Sequence, residues 1–247
     1  MLTLYCFGPG ANSLKPLLTL YERGIPFTAR QLNPAKFEHN EPWFVKLNPN
    51  GQVPALEHDG KVVTESTVIC EYLEDVFTDY PSLRPADPYL RAQMRVWTKW
   101  VDEYFCWCVS TIGWDRMVSR MARAMSEEEF EAHVENVPIP EQKVKWRRAR
   151  YGFPPELLAE EMGKIERSVK RLEARLSESP WLAGPDYTLA DICNFAIAGG
   201  MNFGFPDLVN ETATPGLMRW MKQIQERPAV KAMYAAVPME RLSPQTA

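Results

Sequence analysis

The chain has 247 residues, of which 45% are apolar, enough for one or two domains with genuine cores. Its 28 Lys and Arg stand against 32 Asp and Glu, a formal net charge of -4, so no general attraction to nucleic acid or an anionic membrane is expected and small-molecule chemistry is favoured. No apolar run approaches the ~20 residues of a membrane span, and the opening MLTLYCF has neither a basic region nor a cleavage site, so a cytoplasmic location is expected.

In chain order, residues 2–7 have the pattern of a first strand, and GPGANSLKP turns the chain. Leu14, Leu17, Leu18 and Tyr21 then mark one face of a helix ending at Gly24. Residues 27–31 are a second strand, expected parallel to the first because a helix separates them. After a variable connection over 33–48 comes NGQVPALEHDGKVVTES. Pro54 stands at a strand entrance, where a missing N–H is tolerated and a cis bond is admissible. Asp59-Gly60 is a two-residue hairpin signal, and Glu65 and Ser66 precede a helix over 67–77. This layout leaves the Val53 backbone beside a helix N-terminus, a suitable edge for an extended peptide and its carboxylate.

DYPSLRPADP has three prolines and no periodicity, the composition of a linker, assigned to 81–87 between a domain of residues 1–80 and a second of 88–247. Asp87 is a helix cap with Pro88 at the first position, and Met94, Trp97, Val101, Tyr104 and Cys108 continue at spacings of three and four. Trp97 and Trp100 are expected in the core. The region 116–155 is irregular apart from a capping box at Ser126 and Glu129, and its basic run KVKWRRAR is either a solvated face or an anion contact, with Trp146 near a pocket. Leu158, Met162, Ile165, Val169, Leu172 and Leu176 mark a core helix from Pro155. Thr188 and Asp191 form a second capping box with a folding role, followed by an apolar loop over 201–206, helices over 215–225 and 229–236, and a disordered end from Ser243. The five cysteines (Cys6, Cys70, Cys106, Cys108, Cys193) fit reduced, buried thiols. His39, His58 and His133 are scattered, so no metal is expected.

NGQVPAL followed by TES resembles the glutathione site of the glutathione S-transferase superfamily. The resemblance implies an α/β thioredoxin-like N-terminal domain, an all-α C-terminal helical domain, glutathione as co-substrate and a homodimer. The region 116–155 would then be an insertion. The loop PGANSL is similar to the PGACSL of bacterial beta-class transferases, with Asn12 where the Cys stands. Thiolate stabilisation then falls to Ser13 Oγ, the Asn12 amide or backbone N–H groups, unless Ser13 serves only as a helix cap. By the same resemblance Gln52 and Val53 hold the cysteinyl backbone, with Pro54 fixing that edge, Glu65 meets the γ-glutamyl ammonium, Ser66 its carboxylate, and His39 and Asn40 the glycyl carboxylate. Phe7, Pro9, Tyr104, Trp107, Cys108 and Thr111 would wall the second-substrate site.

FGPGANSLKPL, GQVPALEHDGKVVTESTVICEYLEDVF, RVWTKWVDEYFCWCVSTIGW, VPIPEQ and YTLADICNFAIA resemble more specifically the glutathione-dependent β-etherases of lignin-degrading sphingomonads, of the type acting on S-configured β-aryl ethers. That implies thiolate attack at the β-carbon of an α-keto aryl ether with inversion, releasing a phenol. A transferase that conjugates or dehalogenates another aromatic electrophile shares the same glutathione contacts, and a non-catalytic binding module of this fold would need no activated thiol.

Overall fold

The computed structural model describes residues 1–236, so the expectation for the end from Ser243 lies outside the described residues. Four strands, β1 (Leu2–Cys6), β2 (Thr28–Gln31), β3 (Ala55–His58) and β4 (Lys61–Thr64), form one sheet in the order β2-β1-β3-β4. β1 and β2 are parallel, as the intervening helix α1 (Ala11–Arg23) requires, and the other two pairings are antiparallel. Asp59 and Gly60 both take positive φ, 49° and 78°, the twist that a two-residue hairpin needs.

Alternation along β1 splits the burial between two faces. Leu2, Leu4 and Cys6 join the main core beneath α1 and helix α3 (Ser66–Val76). Tyr5 packs on the other face with Leu32, Ala55 and Phe44 of α2 (Pro42–Leu47). Arg23, in the last turn of α1, is almost fully buried and donates to the carbonyls of Leu73, Phe77 and Pro81, so one guanidinium satisfies the end of α3 and anchors the proline-rich connection. Glu74 secures the same connection by accepting from the Leu83 N–H.

The second half is helical. α4 (Pro88–Trp100), α5 (Cys106–Gly113) and α6 (Ser119–Ala124) form one column, joined by wide π-helical turns at Val101–Phe105 and Trp114–Val118. Asp87 caps α4 through the Leu90 N–H, as its position suggested. Trp97 is buried as expected, and Trp100 is half-buried beside it, with the Arg171 guanidinium over both rings.

The expectation of an irregular region over 116–155 is corrected. α6, α7 (Glu127–Asn136) and α8 (Pro140–Tyr151) enclose a separate small core of Ala122, Phe130, Val134, Val137, Trp146, Ala149 and Phe153. The Ser126–Glu129 capping box starts α7. Arg147–Glu131 and Arg150–Glu127 ion pairs tie α8 to α7, so most of the basic run is a solvated face; Lys145 turns inward.

α9 (Pro155–Glu178) is the core helix expected from its periodicity. α10 (Leu189–Ala198) begins at the Thr188–Asp191 box, and Asp191 also accepts from the Leu182 N–H and Trp220 Nε1, so the carboxylate ties three segments together. The stretch read as an apolar loop contains a one-turn helix, α11 (Met201–Gly204), before α12 (Pro215–Gln225) and α13 (Pro228–Ala236). Among the described residues, ion pairs that join the halves include Arg227 with Glu22, Arg95 with Glu71, and the fully buried Lys15 of α1 with Asp102. Thr67 donates to the second Asp102 oxygen.

Candidate active site

The loop between β1 and α1 sets the site. Gly8 adopts φ 95°, Ala11 opens α1 at φ 44°, and Gly10 is the cap residue, without a side chain to satisfy the helix start. Ser13 therefore lies inside the first turn and is not the cap. It is 3% exposed, and its Oγ accepts the Phe7 N–H at 3.4 Å, which leaves its own proton available to a ligand. Asn12 is half-buried, and its Oδ1 accepts from the Cys106 thiol at 3.6 Å, so its amide NH2 is free to donate.

Two cavities meet at this loop. A cleft of about 280 Å³, the more polar of the two, is lined by Phe7, Gly10 to Ser13, His39, Asn40 and the turn from Asn50 to Val53, and closed by Trp114, Val137, Gln142 and Trp146 of the helical half. A larger, mainly apolar cavity of about 650 Å³ lies on the far side of Asn12. It is bounded by Pro9 and Leu14, by Cys106, Val109, Ser110, Gly113 and Met117 of the column, by residues from Phe195 to Phe205, and by Tyr234. Gly10, Ala11, Asn12 and Trp114 border both spaces.

Asn48 shapes the turn on the polar side. Its buried amide donates to the Gln52 carbonyl at 2.6 Å and accepts the Asn50 N–H at 3.1 Å. Gly51 is required there twice over: φ is 57°, and a Cβ would stand 2.8 Å from Asn40 Nδ2 and 3.0 Å from Pro138 Cγ. Val53-Pro54 is cis, with Pro54 buried behind the turn. His39 Nδ1 and Asn40 Oδ1 are buried without protein partners. Burial pushes the His39 imidazole down to about 4, so it is neutral at pH 7 and suits hydrogen bonding to a ligand.

The structure brings Asn12, Ser13, His39, Asn40, Gln52, Val53 and Phe7 to the polar cleft, and Pro9 to the apolar cavity. Glu65 and Ser66 do not line the cleft wall. The Ala55↔Thr64 pairing places Glu65 one step beyond the ladder, level with Pro54, where it is exposed with φ 66°; Ser66 is buried at the start of α3.

Tyr104, Trp107, Cys108 and Thr111 do not form the cavity wall. Cys108 is fully buried with its thiol on the Phe105 carbonyl, Tyr104 receives Arg167, Trp107 is 56% exposed and Thr111 donates to the Trp107 carbonyl. The wall is the adjacent stripe Cys106, Val109, Ser110, Gly113 and Met117. The π turn at Val101–Phe105 breaks the 3.6-residue phase, and both the core-facing and cavity-facing stripes are mainly apolar or small, so spacing alone does not separate them. Cys106, Ser110, Trp114 and Gln142 were missed because each matters only through contact with a distant segment, and Asn48 because its side chain acts within an irregular turn that has no periodicity.

Residues 1–75 match the glutathione S-transferase N-terminal domain and residues 105–228 the glutathione S-transferase C-terminal domain. The chain belongs to the glutathione S-transferase family. It is 63% identical over 238 residues to Protein LigF of Sphingobium sp. (strain NBRC 103272 / SYK-6), covering 94% of this chain and 93% of that one. The crystal structure of beta-etherase LigF from Sphingobium sp. strain SYK-6 superposes with a TM-score of 0.93 at 62% identity, covering 95% of this chain and 99% of that chain. Glutathione transferase F7 from Populus trichocarpa has the same architecture, with a TM-score of 0.73 at 25% identity over 95% of this chain and 98% of that chain.

Proposed function

We propose that this transferase cleaves β-aryl ethers of lignin-derived α-keto aromatic dimers with glutathione, by thiolate attack at the β-carbon. One observation carries the reading: Asn12 borders both the polar cleft and the apolar cavity, so a thiol bound on one side faces an aromatic substrate on the other. The 63% identity to Protein LigF supports the substrate class.

Glutathione's cysteine has an ordinary pKa of about 8.5, and lowering it by about two units needs about 2.7 kcal/mol of preference for the anion. Asn12 NH2, the Ser13 hydroxyl and the first N–H groups of α1 supply it together. Gln52 and Val53 hold the cysteinyl backbone, and Pro54 fixes that edge. His39 and Asn40 take the glycyl carboxylate with their unpaired atoms, and the γ-glutamyl end extends past the ladder toward Glu65 and Ser66. The adjacent carbonyl activates the β-carbon, the C–O bond breaks with inversion, and a phenol leaves. The cavity suits two aryl rings.

The enzyme is further proposed to be a cytoplasmic homodimer. Five free cysteines among the described residues fit a reducing compartment. Exposed Val62, Val68 and Val96 lie on β4, α3 and α4, the two helices being joined by Arg95–Glu71, and fit a subunit contact. Sedimentation checks the dimer. The activity is tested by incubation with glutathione and a racemic β-aryl ether ketone, followed by chiral chromatography. Consumption of the S-configured ether with release of its phenol is the expected result, and conjugation of unrelated electrophiles with the ether untouched counts against it.

A further inference from the structure

Ether cleavage leaves a phenoxide in the apolar cavity, where an unpaired anion is costly. Among the cavity's residues from the helical half, Ser110 presents a hydroxyl on the α5 wall, opposite the Asn12 loop. Lys145 of α8 donates to Ser110 Oγ at 2.8 Å, so the serine's own proton is free to be donated. The ammonium itself does not line the cavity. It lies against the rings of Trp114 (4.8 Å to the centroid) and Trp107 (5.7 Å), one hydroxyl removed from the substrate space.

We propose that Ser110, backed by Lys145, is the acid that protonates the departing aryl oxygen, an inference that rests on the ether-cleavage reading above. As the glutathione sulfur bonds to the β-carbon, the C–O bond breaks and its electron pair leaves on the aryl oxygen. Ser110 gives its proton to that oxygen, and Lys145 passes one of its own to Ser110 Oγ. The neutral amine regains a proton from water, so no oxidant, reductant or further reactant is needed. Ser110 is the catalytic residue here and Lys145 a positioning residue acting through it.

The acidity suits the task. Burial holds Lys145 down at about 8, with Cys106 on α5 and Glu161 on α9, itself engaged by Lys164, pulling upward. An acid there is mostly protonated at pH 7 and stronger than a phenol, whose ordinary pKa is about 10. A solvated lysine would be a weaker acid than the phenol it serves.

The test is a leaving-group series: α-keto β-aryl ethers carrying phenols from 4-nitrophenol, which leaves unaided, to 4-methoxyphenol, which does not, at saturating glutathione. Lys145→Met and Ser110→Ala are expected to lose about 10- to 100-fold in kcat with 4-methoxyphenol and less than about threefold with 4-nitrophenol. The double variant should be no worse than Ser110→Ala, because the two residues act in series. A partly unfolded variant loses the same factor with every substrate, so the slope against phenol pKa separates chemistry from folding. An equal loss across the series overturns the inference while leaving ether cleavage standing. If wild-type enzyme releases phenol from no member, ether cleavage itself fails, and this inference with it.

Discussion

The Cys106 thiol and Asn12 Oδ1, 3.6 Å apart, join the column of the helical half to the loop between β1 and α1. Because the carbonyl end of the amide is occupied by the thiol, the NH2 end is left free to donate. Asn12 and Ser13 are each neutral donors worth about 0.5 to 1.5 kcal/mol. Asn12→Ala and Ser13→Ala alone should each leave substantial activity, and the double variant should lose clearly more than either. Turnover against pH checks this. Abolition by Ser13→Ala with Asn12→Ala silent would make this an ordinary serine-type transferase.

Lys15 and Asp102 form a second contact of α1 with the helical half, the lysine fully buried and the carboxylate one-third exposed. Burial alone would lower the lysine pKa; Cys193, Asp102 and Cys106 outweigh it and the net direction is upward. Asp102→Ala leaves that ammonium buried and unpaired, while Lys15→Met leaves a carboxylate that still reaches water. Asp102→Ala should therefore cost more, about 3 kcal/mol, against about 1 to 2 kcal/mol for Lys15→Met. Urea unfolding midpoints measure both, and equal losses would mean that solvent reaches Lys15.

Gly51→Ala isolates the polar cleft. The added methyl meets Asn40 Nδ2 and Pro138 at a backbone conformation that an L-residue rarely adopts. We expect a loss of about 1 to 3 kcal/mol in glutathione affinity, with little change in turnover at saturating glutathione because Asn12 and Ser13 are untouched. Calorimetric titration gives the affinity, and an unchanged value would show that Asn40 moves aside freely.

What was legible in the sequence was local. Asp59-Gly60 and the boxes at Ser126 and Thr188 are turn and cap chemistry resolved within four residues, and the structure forms all three. Pro155–Glu178 is long enough for its period to be unambiguous. By contrast, Phe130, Val134, Trp146 and Phe153 cover one another across separate short helices interrupted by Pro138 and Pro140, so no single stretch shows a sustained period. That Asn12, Ser13, Gln52 and Val53 share one cleft was legible through their motifs, whereas Ser110 and Lys145 meet across 35 positions. The wall on α5 was displaced by a π turn that no propensity announces.

His133 makes acid stability a sharp test of this interior. Its ring stacks on Phe37 with centroids 3.7 Å apart and meets Trp146 edge-on at 4.3 Å, and Nε2 is buried without a partner. Burial, and then the charge of nearby His39, push it down to about 4 from 6.5. A base with a depressed folded-state pKa binds protons more weakly folded than unfolded, so its share of stability is complete above pH 6.5 and is lost as pH falls toward 4. At pH 4.5 the loss from this one group reaches about 2.5 kcal/mol. His133→Phe keeps the stacking and removes both the titration and the unpaired nitrogen. Carboxylates contribute to acid unfolding in both proteins and cancel in the difference, so wild type and variant should have similar urea midpoints at pH 7 and diverge in the variant's favour below pH 6. A difference that stays constant from pH 7 to 4.5 would mean that His133 takes up its proton in the folded chain without penalty, and that the small core of α6 to α8 admits water.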